Sequence, residues 1–438
     1  MGIILIIMGK RAGKKMIKCF LFENFKSFEK AELNIEDFTT LIGTNASGKS
    51  NAIEGIRILS EVVSGLELAT ILDGTKSFIG AVRGGSKGCP RFKTGAFKLG
   101  CLVALDEDSD LLYEIKISVN NHIYVEEEAL YKMPADQLSP RTNKVFKTKA
   151  VRSGGADILV EYRNGRRGTN PALICIRTAA ILPQMLTKIP RETEEQQQVH
   201  VWIQTVIEAL KNILVLDPVP QNMRDYTRIS DFDLRVNCEN ISSVMRHMCE
   251  NKDKKKQLLD IICDLPENEV TDIEFIETKI GDVIFALKEK YINSTELVDA
   301  RKLSDGTLRC IAMIVAALVS DPGSILIMEE IDNGIHPGRI EKLTDNLFRI
   351  AQERKIDMIV TTHNAMLMNR YKKDQLIGVS VVYREKDRGT GKFVSFVDLD
   401  NFSGILAAGG LGNAMMDDRL ISEIKEDTKD KDYSWLGV

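Results

Sequence analysis

Short apolar runs alternate with longer stretches of helical spacing along the chain, and this pattern predicts an α/β fold. Three runs are mainly apolar or β-branched without alternation, as strands are when a sheet buries them on both faces. These runs are residues 38–42, 324–328 and 357–362. Stretches with apolar residues at helical spacing lie at 51–63, 308–319 and 340–353. Strands that alternate with helices form parallel sheets covered by helices.

A second pattern predicts antiparallel strands in the first half of the chain, because apolar and polar residues alternate there. The alternating segments are residues 97–105, 111–119, 122–129 and 157–162. Polar turns at 106–110 and 120–121 separate the first three. From residue 169 to about 298 the spacing becomes helical, most clearly at 201–214 and 242–265. We therefore expect an antiparallel side sheet followed by a mainly helical insertion.

These patterns divide the chain into four predicted segments. An N-terminal extension is expected at 1–15, and the N-terminal half of the main lobe at 16–168. The helical insertion follows at 169–298, and the C-terminal half of the main lobe at 299–438.

Residues 43–50 read Gly-Thr-Asn-Ala-Ser-Gly-Lys-Ser and complete the phosphate-loop pattern G-x-x-x-x-G-K-[ST]. A predicted strand precedes the pattern and a predicted helix follows it, which is the context in which such a loop binds nucleotide phosphates. Lys49 is expected to contact the β- and γ-phosphates, and the Ser50 hydroxyl to contact Mg²⁺. The predicted ATP-binding residues are Gly43, Asn45, Gly48, Lys49, Ser50 and Asn51.

Four further motifs lie in the last third of the chain. They are L-S-D-G-T at 303–307, the acidic pair at 329–330, I-D-N-G-I-H-P at 331–337 and T-T-H at 361–363. In these motifs and in residues 16–62 the chain resembles ABC-type ATPases of the SMC-like and RecF-like branch. That branch includes overcoming-lysogenization-defect-type proteins and ATPase components of bacterial anti-phage systems. The resemblance implies a P-loop ABC-type ATPase head with a mixed sheet, an antiparallel side sheet and a helical insertion.

The resemblance also assigns a role to each motif. Ser304 and Gly306 would form a signature motif that acts in trans, on ATP held by a second copy, which implies an ATP-sandwich dimer. Glu329 occupies the Walker B position and would help Ser50 to hold Mg²⁺, although many ABC-type proteins have aspartate there. The predicted catalytic residues are Glu330, which would polarise the attacking water, and His363, which would contact the γ-phosphate.

Composition limits where the protein works and what it binds. The 438 residues exceed one typical core, and 59 basic against 63 acidic residues give a net charge of −4, without the cationic excess of many nucleic-acid-binding proteins. The eight cysteines include no C-x-x-C pair, which argues against a disulfide framework or a zinc ribbon. The apolar run at residues 3–8 is too short to span a bilayer. We expect a cytoplasmic protein without a membrane partner.

Two functional classes fit these features. In the first, an ATP-hydrolysing homodimer or higher oligomer senses a trigger and controls a separately encoded effector, a nuclease or toxin, as in anti-phage defence. The alternative is a RecF-like ATP-dependent DNA-binding clamp in DNA repair. Basic residues cluster at 141–152 and 163–167 and could contact DNA phosphates, although such residues also crowd ordinary solvated loops. The segment after His363 is too short for a further nuclease domain, so an effector is expected from another chain.

Overall fold

The computed structural model describes residues 16–75, 82–92, 94–138, 141, 143–150, 155–165, 169–265, 269–292, 294–385, 388–416, 420 and 424. The chain divides into two compact units. The first unit comprises Met1–Ile35 and Glu54–Ile213, and the second comprises Glu36–Ile53 and Leu214–Val438. The predicted extension at 1–15 lies outside the described residues.

The described strands, in chain order, are β1 (Ile17–Phe25), β2 (Phe28–Asn34), β3 (Phe38–Ile42), β4 (Ala96–Ala104), β5 (Ser109–Ser118), β6 (Tyr124–Pro134), β7 (Lys144–Thr148), β8 (Asp157–Tyr162), β9 (Ala172–Ile176), β10 (Ile213–Leu216), β11 (Thr227–Arg228), β12 (Glu269–Glu277), β13 (Asp282–Lys290), β14 (Thr295–Asp299), β15 (Ile325–Met328), β16 (Asp357–Thr361), β17 (Val379–Arg384) and β18 (Gly391–Ser395).

The described α-helices are α1 (Lys49–Val62), α2 (Leu68–Asp73), α3 (Ile181–Lys188), α4 (Glu194–Lys211), α5 (Ile241–Met248), α6 (Lys252–Asp264), α7 (Asp305–Val319), α8 (Pro337–Arg354), α9 (Ala365–Met368), α10 (Lys373–Ile377), α11 (Phe402–Ala407) and α12 (Leu411–Met416). None of these helices is long and apolar enough to cross a membrane.

The first unit is built on an eight-stranded antiparallel sheet in the order β2-β1-β4-β5-β6-β7-β8-β9. Aromatic residues fill one end of its core, where the rings of Phe22 and Phe28 lie 5.2 Å apart. Gly55 of α1 lies against this cluster, since a Cβ there would come within 2.7 Å of the Phe22 ring. The sheet contains the alternating segments that the sequence predicted, so the expected antiparallel side sheet is present.

The second unit contains a six-stranded mixed sheet in the order β10-β15-β16-β3-β17-β18. The four central strands β15, β16, β3 and β17 run parallel, and β18 pairs antiparallel with β17. Every residue of β3, β15 and β16 is buried, which explains why these strands read as continuous apolar runs. The predicted α/β class with a mixed sheet is confirmed.

The predicted mainly helical insertion at 169–298 is wrong from residue 269 onward. Residues 269–299 form the antiparallel strands β12, β13 and β14, and β11 pairs with β13. The acidic residues of β12 hide its alternation, because Val270 and Ile273 are buried while Glu269 and Glu277 are exposed. A one-residue bulge between Val270 and Asp272 shifts the alternation as well. The segment is also divided between the two units at residues 213 and 214.

Four of the basic residues at 141–163 form ion pairs with glutamates of the first unit. The ion pairs are Arg141–Glu114 at 3.0 Å, Lys147–Glu127 at 2.9 Å, Lys149–Glu161 at 2.7 Å and Arg163–Glu195. Arg152, Arg166 and Arg167 lie outside the described residues. In the part of the cluster that the structure describes, these four positive charges are therefore matched locally by negative ones.

Candidate nucleotide site

The phosphate-loop pattern, the acidic pair and the T-T-H motif meet at one edge of the parallel sheet in the second unit. Strand β3 leads into the loop at 43–48, β15 leads into the acidic pair, and β16 leads into Thr362 and His363. Because β16 lies between β15 and β3 and all three are parallel, their carboxyl ends share one edge. Ligands of open α/β sheets bind at this edge.

The backbone of the phosphate loop has conformations that favour glycine. Gly43 and Gly48 have φ angles of +148° and +126°. A Cβ at Gly43 would overlap the carbonyl oxygen of Val382 on β17, so the loop can leave β3 in this direction only with glycine there. Asn45 is exposed at the tip of the loop, and Asn51 is half-buried in the first turn of α1.

Lys49 is the first residue of α1 and lies under the loop. Its Nζ donates to the carbonyl oxygens of Gly43 at 2.8 Å and Thr44 at 3.1 Å. Burial lowers the pKa of Lys49 to about 8, although Glu330 and Glu329 oppose this change. The ammonium group is therefore held inside the loop and close to two carboxylates.

Ser50 links the phosphate loop to the acidic pair. Its hydroxyl donates to Oε2 of Glu329 at 2.8 Å, and both side chains are half-buried. The buried Ser47 Oγ has no hydrogen-bond partner among the described residues. Hydroxyl and carboxylate oxygens are ligands that Mg²⁺ prefers, so Ser50 and Glu329 fit this ion. In the described part of the chain, no group of three or more His, Cys, Asp or Glu side chains could hold a metal.

Glu330 is exposed and has a left-handed backbone, with φ of +48°. Its N–H donates to Oγ1 of Thr361 on β16 at 2.8 Å. Its carboxylate oxygen Oε2 accepts from Nδ2 of Asn333 at 3.3 Å. Two neighbouring side chains thus hold the backbone and the carboxylate of this residue.

His363 follows β16 and remains accessible to solvent. Partial burial and the positive charge of Lys49 lower its pKa, while Asp332 and Glu330 act in the opposite direction. The imidazole is therefore neutral at physiological pH. His363 therefore interacts electrostatically with both Lys49 and Glu330.

The signature residues lie at the beginning of α7. Ser304 is exposed and caps the helix, because its Oγ accepts from the N–H of Thr307 at 3.1 Å. A Cβ at Gly306 would come within 2.6 Å of the carbonyl oxygen of Gly334, so only glycine permits this close packing. Arg224 donates to Leu303 O at 2.8 Å and to Asp305 Oδ1 at 2.6 Å.

The predicted residues thus fall into two groups within the second unit. Lys49, Ser50, Glu329, Glu330 and His363 are connected by hydrogen bonds or electrostatic coupling. Ser304 and Gly306 contact the turn at 331–336 and α7 instead. Ser47, Asn333 and Thr361 lie within the sequence motifs, but the motifs predict no role for them. Arg224 lies outside every motif. Hydroxyl and amide residues beside an acidic strand end were the available signal for Thr361 and Asn333.

Comparison with protein families identifies the chain. A family profile described as "AAA ATPase domain" matches residues 16–273, more than half of the sequence. The chain belongs to the AAA ATPase domain family. A second profile, described as "AAA domain, putative AbiEii toxin, Type IV TA system", matches residues 250–369. The predicted enzymatic activity is thereby confirmed: the protein is an ATPase that binds and hydrolyses ATP.

Two solved structures are similar to this ATPase over most of its length. One is the crystal structure of the SmcHead bound to the C-winged helix domain of ScpA, with 15% identity, 86% of this chain and 97% of that chain covered, and a TM-score of 0.49. The other is the SMC head domain from Thermotoga maritima, with 12% identity, 87% and 98% coverage, and a TM-score of 0.41. No curated protein matches the chain.

Proposed function

We propose that two copies of this ATPase close around ATP and Mg²⁺, and that this cycle controls a separate effector protein. The observation that carries the nucleotide and Mg²⁺ part of the proposal is the 2.8 Å hydrogen bond between Ser50 and Glu329. It joins the first turn of α1 to the end of β15, where a phosphate-bound ion would be held. ATP hydrolysis itself follows from the family.

One copy supplies most of each proposed site. The loop amides and Lys49 bind the β- and γ-phosphates, and ATP competes with the Gly43 and Thr44 carbonyls for the ammonium group. Ser50 and Glu329 would hold Mg²⁺, which neutralises charge on the phosphate oxygens when bound.

Glu330 is the proposed base for hydrolysis. Its exposed carboxylate can accept a hydrogen bond from a water molecule and orient that water towards the γ-phosphate. His363 is neutral because burial and Lys49 lower its pKa, so one ring nitrogen can donate to a γ-phosphate oxygen. These residues position the reactants and stabilise developing charge, which is most of what phosphoryl transfer needs from a protein.

A second copy supplies the signature motif. Ser304 lies exposed at the N-terminus of the 15-residue helix α7, where free amides and the helix dipole favour an anion. Within one copy, the Ser304 hydroxyl bonds Thr307 of its own helix. We infer that this surface meets the γ-phosphate held by the partner copy, as the ABC-type resemblance implies.

The effector part of the proposal is supported by the profile that matches residues 250–369. Its description names a toxin of a type IV toxin–antitoxin system. A toxin and its antitoxin are separate proteins, which suits an ATPase that works together with a separate nuclease or toxin. An anti-phage role is the corresponding biological setting.

Subunit mixing tests the composite site. Lys49→Ala and Ser304→Arg should each abolish hydrolysis, because every site of the respective homodimer lacks one component. In a mixed dimer, one site combines the intact Lys49 of one copy with the intact Ser304 of the other. An equal mixture should therefore regain about a quarter of the wild-type rate, since about half the dimers are mixed and each has one intact site.

A matched control uses Lys49→Ala mixed with Glu330→Gln. Both substitutions affect the part of the site that one copy supplies, so no mixed dimer has an intact site and no activity should return. If the Lys49→Ala and Ser304→Arg mixture stayed inactive although mass analysis showed mixed dimers, the two-copy site would be wrong.

A further inference from the structure

Glu330 has a backbone conformation that a glutamate rarely adopts. Its φ of +48° lies in the left-handed region, where a Cβ is crowded by the following carbonyl group. Such a conformation persists only where the surroundings impose it, and it is concentrated at functional sites. The structure shows which contacts impose it here.

Thr361 holds this turn on both sides of Glu330. Its Oγ1 accepts from the Glu330 N–H at 2.8 Å, and its carbonyl oxygen accepts from the Ile331 N–H at 3.1 Å. Thr361 is only 2% exposed and is the last residue of β16, the strand next to β15. The backbone hydrogen bonds between β15 and β16 end with the paired residues of the two strands. The side-chain hydrogen bond of Thr361 continues the connection to Glu330, beyond the end of β15.

The turn after Glu330 is held in the same manner. The Glu330 carbonyl oxygen accepts from the Asn333 N–H at 2.8 Å, and the Asn333 amide reaches the Glu330 carboxylate. Thr362, which is fully buried, donates its hydroxyl to Asp332 at 2.7 Å. The adjacent residues Thr361 and Thr362 therefore connect the turn at 330–333 to strand β16 by hydrogen bonds.

We propose that Thr361 is a positioning residue for ATP hydrolysis. Its hydroxyl keeps Glu330 in the left-handed conformation and so directs the carboxylate to the place where the attacking water must lie. This inference rests on the proposed role of Glu330 as the base. A displacement of such a group by about 1 Å can lower a rate by about a hundredfold.

The test compares Thr361→Val with Thr361→Ser. Valine has the shape of threonine but cannot accept the Glu330 N–H, whereas serine retains the oxygen. We expect Thr361→Val to lower kcat by about ten- to a hundredfold with little change in KM or in affinity for an ATP analogue. Thr361→Ser should keep kcat within about threefold of the wild type.

Thr40→Val is the matched control for the loss of a buried hydroxyl. Thr40 is fully buried on β3 of the same sheet, and its Oγ1 lies 3.1 Å from the Tyr371 hydroxyl, so its loss removes that hydrogen bond and not the one to Glu330. This variant should keep its kcat, although its melting temperature should fall as much as that of Thr361→Val. A wild-type kcat in Thr361→Val, or an equal loss in Thr40→Val, would overturn the positioning role.

A double variant separates this inference from the proposed function. If Glu330 is the base, Glu330→Gln is slow, and adding Thr361→Val should not slow it further because both act through the same carboxylate. Wild-type hydrolysis by Glu330→Gln would refute the base itself. Glu330→Gln could instead be slow, with Thr361→Val lowering its kcat by the same factor as in the wild type. This result would refute only the positioning role.

Discussion

At the scale of single residues, the candidate site depends on side chains and backbones held in costly states. Lys49 keeps an ammonium group buried under the loop carbonyls, and Gly43 packs where any side chain would overlap Val382. Glu330 adopts a left-handed conformation, which costs on the order of 1–3 kcal/mol and is offset by its neighbours. The loop carbonyl oxygens only partly stabilise the buried ammonium group of Lys49. The phosphates of a bound nucleotide would give it an anionic partner.

Affinity for ATP should fall as the pH rises above about 8. The pKa of Lys49 lies at about 8 because burial disfavours its charged form, and Glu330 and Glu329 only partly restore it. Phosphates bind the protonated amine, so affinity should be constant below this pKa and weaken by up to about tenfold for each pH unit above it. Titration with a fluorescent ATP analogue at constant ionic strength measures this. Constant affinity up to about pH 10 would indicate an ordinary lysine pKa.

At the scale of elements, a buried carboxylate joins β6 to α3 in the first unit. Glu128 accepts from the N–H groups of Ile181 and Leu182, both at 2.7 Å, and from the Tyr113 hydroxyl at 3.0 Å. It is fully buried and lies at the N-terminus of α3, where the helix dipole favours a negative charge. Burial nevertheless raises the pKa of Glu128 to about 7.

The stability of the protein should therefore fall between about pH 4.5 and pH 7. The folded pKa of Glu128 lies above the ordinary value of 4.5, so the folded chain binds a proton that the unfolded chain releases in this range. Its contribution is fully present below pH 4.5 and is lost as the pH rises through about 7, a change on the order of 3 kcal/mol. Denaturant unfolding at several pH values measures this dependence.

Glu128→Gln should remove that dependence, because glutamine does not titrate. Glu127→Gln is the control on the same strand, since Glu127 lies at the surface in an ion pair with Lys147. The control should keep the slope of the wild type. An unchanged slope in Glu128→Gln would mean that another group titrates.

Some secondary-structure elements could be predicted from the sequence and others could not. Strand β3 coincides with the apolar run at 38–42, because burial on both faces leaves no polar position to obscure it. The sequence predicts helix for the hairpin of β12 and β13, because charged residues occupy its exposed face and a bulge breaks its period of two. Secondary structure can be predicted from the spacing of apolar residues only where the exposed residues do not produce a different spacing.

At the scale of the whole molecule, the distribution of charge favours a protein partner over DNA. The net charge is −4, and four of the basic residues at 141–163 that the structure describes lie in ion pairs with glutamates. A phosphate backbone would have to compete with those carboxylates for the same cations. This observation supports the effector proposal rather than the clamp alternative.

Capture with the Glu330→Gln variant distinguishes the two partners. This variant should bind ATP and stay closed, so tagged protein from the native host should retain a second protein in stoichiometric amount with ATP but not without it. Lys49→Ala is the control, because it should not close with ATP. DNA retained instead, with an affinity that falls steeply as salt rises, would favour the clamp.

The sequence by itself determined the class of the fold and the ATPase activity, and it predicted the chemistry of the site. The phosphate loop, the acidic pair and the T-T-H motif are local patterns in which side-chain type and spacing carry the information. Only the tertiary structure decided what lies beside them. The order β15-β16-β3 brings Thr361 to the Glu330 amide, and the order β5-β6-β7-β8 brings glutamates of the first unit to its cations. Contacts between residues far apart in the chain depend on strand order and register.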